Sequence, residues 1–187
     1  MDTEQRRFYL RVVVKLMLLI FIIALLTTFV RSISTNTQSA GSNRVSIDLS
    51  PLQTGQSMRY DWHGKRVFIL KRDVIDVTNM QSLNIELLDP DSRHSRQPAT
   101  TENRLRSVHP GYFVVLDYGT DLNCGLDYLN KNQAGPEGRV WLGGFKDLCR
   151  GSWYDLTGRV YKGQQAKRNL TIPVYDIEDQ SLILGSE

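Results

Sequence analysis

Apolar and polar positions are distributed unevenly along the chain, and the pattern divides it into three parts. Leu16 to Val30 carries no charge, and Val12 to Val14 continue the apolar run across Lys15. That run is long enough to cross a bilayer, so it predicts a transmembrane helix over 12–31. Lys15 lies near the start of the span, where its stem can follow lipid while the ammonium reaches the headgroups. A cleaved signal peptide has a similar profile, but Arg31-Ser-Ile-Ser-Thr35 lacks a clear small-residue cleavage pattern. Residues 32–44 are polar and rich in Ser and Gly, the composition of a flexible tether. Beyond it, Arg66–Leu70, Tyr112–Leu116, Arg139–Leu142 and Thr171–Tyr175 are β-branched or aromatic runs bounded by Gly, Pro, Asp and Asn. They predict an all-β domain over 45–187, a sandwich or small barrel, with at most a short helix near Asp73–Leu83.

Charge gives the span a direction. Arg6, Arg7, Arg11 and Lys15 precede or open it, and only Arg31 flanks its far side closely. Residues 1–11 are therefore expected in the cytoplasm and the C-terminal domain outside. Arg6-Arg7 followed by Phe8 and Leu10 resembles a twin-arginine export signal. Met1-Asp-Thr-Glu4 lacks the acid-poor, Arg- and Ser-rich character of a mitochondrial transit peptide, which points to a bacterial inner membrane with a periplasmic domain. The net charge of +3 arises at the N-terminus: residues 1–44 hold six basic and two acidic residues, and the remaining seventeen and eighteen nearly cancel. No nucleic-acid partner is expected from that balance.

The chain has two cysteines, Cys124 and Cys149, both in the exported part, where an oxidising compartment permits a disulfide. Pairing is the expected state. A metal site is the competing reading, but the two thiols are far apart and no His stands at zinc-site spacing. His63, His94 and His109 fall in turn-like segments and are expected at the surface with no metal role. No phosphate loop, nucleophile elbow or paired-His helix motif occurs.

Several segments in sequence carry a resemblance to a known family. Trp62-His-Gly-Lys-Arg-Val-Phe-Ile-Leu-Lys-Arg72, Asp89-Pro-Asp-Ser-Arg93, Ser95-Arg-Gln-Pro98 and Pro110-Gly-Tyr-Phe-Val-Val115 lead to Gly119-Thr-Asp-Leu-Asn-Cys124 and Asp147-Leu-Cys-Arg-Gly-Ser-Trp-Tyr-Asp155. Gly158–Gly163 and Asn169–Tyr175 follow. Together with the span and tether, this order resembles the Rieske iron–sulfur subunit of quinol:cytochrome c oxidoreductases, the cytochrome bc complexes. The resemblance implies layered antiparallel sheets, with a small cluster-type subdomain over about 112–165 set on a base domain.

In that family the first box is Cys-Thr-His-Leu-Gly-Cys and the second Cys-Pro-Cys-His-Gly-Ser. The first Cys and the His of each box bind the two-iron two-sulfur cluster, and the other two Cys form a disulfide. Matched residue by residue, Cys124 and Cys149 stand at the disulfide positions, while Gly119, Asp121, Asp147 and Arg150 stand at the ligand positions. Thr120, Leu122, Gly151, Ser152, Tyr154 and Asp155 agree with the motif. Ser152 and Tyr154 match residues that hydrogen-bond the cluster and its ligand; here a turn Ser and a half-buried Tyr are expected to be structural. Gly163-Gln-Gln-Ala166 stands where the family has a proline-rich lid.

A Rieske centre takes two thiolates and two imidazoles. Glycine offers no donor, and a protonated guanidinium has no lone pair to give. The expectation from these four positions is that no cluster is bound, that no metal replaces it, and that Arg150 pairs with Asp121 or Asp147 to fill the vacated volume. The resulting reading is a non-catalytic, cluster-less subunit or assembly partner of a respiratory membrane complex, either a cytochrome bc complex or a terminal oxidase. A genuine Rieske electron-transfer subunit is the alternative, and a periplasmic binding module a further one, for which a deep pocket near Asp121 and Arg150 would count.

Overall fold

The computed structural model describes residues 3–35, 44–79 and 86–185. It divides into two units, 1–43 and 44–187. The first contains one helix, α1 (Thr3–Thr35). Within it Gln5–Thr27, 23 residues, is long and apolar enough to cross a membrane. At the usual helical rise such a segment covers about 35 Å, a little more than a hydrocarbon core of about 30 Å. The apolar side chains between Val12 and Leu26 are exposed within the unit, as on a lipid-facing helix. The tether expected over 32–44 overlaps the end of α1 at 32–35, and 36–43 lie outside the described residues.

The second unit is built from three antiparallel three-stranded sheets among the described residues. One contains β1 (Val45–Asp48), β8 (Tyr175–Glu178) and β9 (Ser181–Leu184), in the order β1-β9-β8, so the two ends of the domain close on each other. The second runs β2 (Ser57–Trp62), β3 (Lys65–Lys71), β4 (Tyr112–Leu116) in sequence order. The third, likewise sequential, comprises β5 (Leu126–Leu129), β6 (Gly144–Asp147) and β7 (Trp153–Asp155). A short helix α2 (Val74–Asn79) follows β3 and lies within the expected segment; 80–85 are outside the described residues.

Local sequence explains the main hairpin. His63 and Gly64 both take positive φ, 49° and 74°, the geometry of a two-residue turn whose twist suits flanking strands. β3 is the central strand of its sheet, and Val67, Phe68, Ile69 and Leu70 are all buried, which requires cover on both faces. Phe68 meets Phe145 edge-on at 5.3 Å, and this contact joins the second sheet to the third.

Two expected strands are corrected. Arg139–Leu142 is irregular: Trp141 Nε1 donates to Asn130 O at 3.2 Å, and the Arg139 guanidinium donates to the carbonyls of Glu86 and Lys162. The strand starts at Gly144, where the backbone passes so close to Tyr154 O that a β-carbon would collide with it. Thr171–Val174 forms isolated backbone bonds and not a ladder, because Pro173 has no N–H to continue one. β8 begins at Tyr175.

Buried polar groups hold the irregular segments in place. Arg106 is 1% exposed and donates to Gln97 Oε1 and to the carbonyls of Thr157, Gly158 and Leu170, at 2.6–3.1 Å. Burial lowers its pKa to about 10. Asp155 and Arg159 form a buried ion pair at 2.8 Å, and Asp155 Oδ1 also accepts from the backbone of Thr157 and Arg159.

Candidate functional site

Two loops meet at one end of the β5–β7 sheet. The first follows β4 and folds back on itself: Gly119 N–H donates to Cys124 O at 2.8 Å, and Tyr118 bridges Gly125. The second turns between β6 and β7, with Asp147 N–H donating to Ser152 O and Gly151 N–H to Asp147 O. Gly151 makes this turn at φ 68°, a conformation that other residues enter at a cost. The Cys124–Cys149 disulfide joins the loops with a Cα–Cα distance of 5.9 Å, and the hydrogen bond from Leu148 N to Gly125 O, at 3.1 Å, adds a second tie.

Asp147 organises the second loop. Its Oδ1 accepts from the backbone N–H groups of Cys149 and Arg150, both at 2.9 Å, the pattern by which a short carboxylate closes its own turn. The carboxylate is buried, and Oδ2 has no hydrogen-bond partner. It occupies the space above Gly119, where a β-carbon would collide with Oδ2 and stand 3.0 Å from Cγ. Residue 119 is therefore glycine because residue 147 fills its side-chain volume.

Arg150 Nε lies 3.3 Å from Asp121 Oδ2, so the expected pairing forms with Asp121. The side chains are 48% and 27% exposed, which corrects the expectation of a buried plug: the Asp147 carboxylate fills the space above Gly119, and the ion pair is partly exposed. Such a pair is worth at most about 1 kcal/mol.

The remaining motif residues support the loops. Ser152 is buried and its Oγ accepts from Ala166 N. Tyr154 is fully buried, not half-buried, and its hydroxyl accepts from Thr120 N at 3.4 Å. Burial raises that hydroxyl's pKa above its ordinary value. Thr120 Oγ1 donates to Arg168 O at 2.6 Å and so ties the first loop to the segment before Asn169. Leu122 and Leu148, 54% and 67% exposed, leave apolar surface beside the disulfide.

Cys124, Asp147 and Cys149 place metal-capable atoms within 4.8 Å of one another. With both sulfurs bonded to each other, the trio offers one carboxylate and no thiolate. The histidines stand elsewhere: His63 turns between β2 and β3, His94 donates its N–H to Asp89, and His109 Nδ1 accepts from Gly111 N. At the four positions that the resemblance aligns with cluster ligands there are a glycine, two carboxylates and a guanidinium. That donor set does not fit a centre taking two thiolates and two imidazoles.

Several structural residues give little signal in the sequence. Asp117 receives Arg59 Nε and Arg66 Nε at 2.9 and 2.8 Å, and Asn169 holds Val160 N, Asp89 O and Ser92 Oγ. Asn169 has its neighbour Leu170 as a clue, since Asn169–Tyr175 already resembles a family segment; the partners of Asp117 are too remote in sequence to be read.

Fold and loops together define a membrane-anchored β protein whose characteristic feature is a pair of disulfide-clamped loops. No protein-family model matches the chain. Among curated proteins, the ubiquinol-cytochrome c reductase iron-sulfur subunit of Allochromatium vinosum is 34% identical over 167 residues, 87% of this chain and 79% of that protein. The mitochondrial cytochrome b-c1 complex subunit Rieske of Neurospora crassa is 30% identical, over 84% of this chain and 60% of its own length. A solved structure, "Hyperthermophilic respiratory Complex III", aligns over 87% of this chain and 91% of its own at 20% identity with a TM-score of 0.44. The chain belongs to the family of Rieske iron–sulfur subunits of the cytochrome bc1 complex.

This kinship corrects two expectations. The relatives are named iron–sulfur subunits of ubiquinol-cytochrome c reductase, an electron-transfer assembly. The reading of this chain as a non-catalytic homologue is therefore overturned, and the expectation that the two-iron two-sulfur cluster is absent falls with it. Both rest on four side chains, which describe their own donor chemistry and not the state of the whole subunit.

Proposed function

We propose that this chain is the Rieske-type electron-transfer subunit of a cytochrome bc complex, anchored in a bacterial inner membrane with residues 1–11 in the cytoplasm and the domain 45–187 in the periplasm. The observation that carries this is the 34% identity spanning 87% of the chain and 79% of a bacterial ubiquinol-cytochrome c reductase subunit. The basic residues before the span support the orientation, and the Cys124–Cys149 bond suits an oxidising compartment. Leu122 and Leu148 supply apolar surface that a docking partner in the complex would cover. Residues 112–165 form the subdomain that would dock, clamped by the disulfide. Gly119, Asp121, Asp147 and Arg150 are the positions aligned with the family's ligands, and any iron–sulfur centre in this subunit would need donors other than these four.

The test is purification of the tagged full-length chain from its native membrane in mild detergent, with subunit identification, iron content and paramagnetic resonance on one sample. Co-purification with cytochrome subunits is the expected result, and iron with a rhombic signal on reduction would reveal donors outside the four aligned positions. A chain that elutes alone, with no respiratory subunit, would refute the reading.

A further inference from the structure

Beside the first loop the domain has a polar cavity of about 550 Å³, whose wall includes Gly119, Thr120 and Asp121. Three basic residues line it: Lys65 from the start of β3, Arg96 from the segment before β4, and Arg168 from the segment after Ala166. Among the described residues lining it, the acidic one is Asp121, which is engaged by Arg150 at 3.3 Å. No carboxylate among the described residues pairs with Lys65, Arg96 or Arg168. Since residues 45–187 are almost neutral as a whole, three unpaired cations around one cavity are a local concentration of charge and not a general property of the surface.

The backbone that carries the arginines is fixed. Ile172 N–H donates to Arg96 O at 3.1 Å, and Asn169 N–H donates to Ser95 Oγ at 3.1 Å, so the two arginine-bearing segments that line the cavity are bonded to each other. Thr120 Oγ1 holds Arg168 O at 2.6 Å. Tyr118 and Asn123 add a hydroxyl and an amide to the lining. Burial holds the Tyr118 hydroxyl above its ordinary pKa, which keeps it a neutral donor.

We propose that this cavity binds an oxyanion of the phosphate class, held by the guanidinium groups of Arg96 and Arg168 and the ammonium of Lys65. Planar guanidinium groups match the paired oxygens of such a ligand, which gives them a preference over a spherical halide. The inference does not depend on the electron-transfer reading, because the groups proposed to hold the ligand are Lys65, Arg96 and Arg168, none of which is among the four aligned positions.

The test uses the full-length chain in neutral detergent at low ionic strength, where surface charges are least screened. Equilibrium dialysis against radiolabelled inorganic phosphate is compared for the parent, Arg96→Gln, Arg168→Gln and Lys65→Gln, with Arg44→Gln as a charge-matched control away from the cavity. A second arm measures flotation with phosphatidylcholine vesicles with and without phosphatidylglycerol. Retention of the disulfide and of parent-like tryptophan fluorescence checks that each variant is folded, and Arg168→Lys provides a conservative replacement that keeps the charge.

Saturable phosphate binding, weakened about tenfold by loss of either arginine and unchanged in Arg44→Gln, is the expected result. Selective binding to phosphatidylglycerol vesicles with the same residue dependence also supports the site and identifies a lipid headgroup as the source of the phosphate. Absence of saturable binding in both arms, or equal binding by the parent and the folded Arg96→Gln and Arg168→Gln variants, overturns the proposal.

Discussion

Replacing Gly119 with alanine tests the account of the loop pair most directly. The added β-carbon would collide with Asp147 Oδ2 and stand 3.0 Å from Cγ. The carboxylate cannot swing away freely, because its Oδ1 holds the N–H groups of Cys149 and Arg150 at 2.9 Å and the loop is tied by the disulfide. Forcing one extra carbon into a packed position costs about 1–3 kcal/mol. Asp147→Ala alone removes both N–H bonds but also the unpartnered Oδ2, so its net cost is about 2 kcal/mol. Gly119 does not have a positive φ, so alanine brings no backbone penalty of its own. In the double variant the collision disappears, and its stability should fall close to that of Asp147→Ala alone. The coupling is then about 1–3 kcal/mol. Guanidinium unfolding of the full-length chain in detergent, followed by tryptophan fluorescence, reads the effect, since all three tryptophans lie in the β domain. Additivity of the two single changes within about 0.5 kcal/mol would show that the carboxylate does not occupy the space above residue 119.

Further predictions concern the scaffold. Arg106→Leu withdraws a guanidinium from four acceptors and should cost roughly 3 kcal/mol or more in the same unfolding assay; a loss under about 1 kcal/mol would mean solvent replaces it. Opening Cys124–Cys149, with 25 residues of separation, should remove about 3.5 kcal/mol in the chain-entropy treatment, read by unfolding the Cys124→Ala/Cys149→Ala variant. Burial also raises the Tyr161 hydroxyl's pKa well above its ordinary 10.0, so the folded state keeps a proton that the unfolded chain loses. That contribution is fully present below pH about 10 and is lost as pH rises beyond it. Tyr161→Phe should flatten the alkaline fall in stability relative to the parent, while Arg72 and Arg106, shifted the opposite way, act equally in both proteins. Equal slopes above pH 10 would contradict the shift.

Much of the molecule is legible in the sequence because it depends on local pattern. An uncharged run from Leu16 to Val30 has only one economical environment, and helix α1 carries it. Continuous β-branched and aromatic runs around Val67 and Val114 mark β3 and β4, and the two cysteines pair with each other as expected. The motif order carries the family. Tertiary structure decided the rest, because the deciding contacts join residues far apart in the chain. Asp147 meets Gly119, and not the guanidinium of Arg150, since sheet pairing places β6 below the first loop. Arg150 turns outward to Asp121, and Arg139–Leu142 forms no strand because the close approach at Gly144 sets where pairing begins. Lys65, Arg96 and Arg168 have no relation in the sequence. Backbone bonds from Ile172 and Asn169 bring the Arg96 and Arg168 segments side by side, the bond from Asp117 N to Arg66 O brings in the start of β3, and a charge pattern of that kind exists only once the chain has folded.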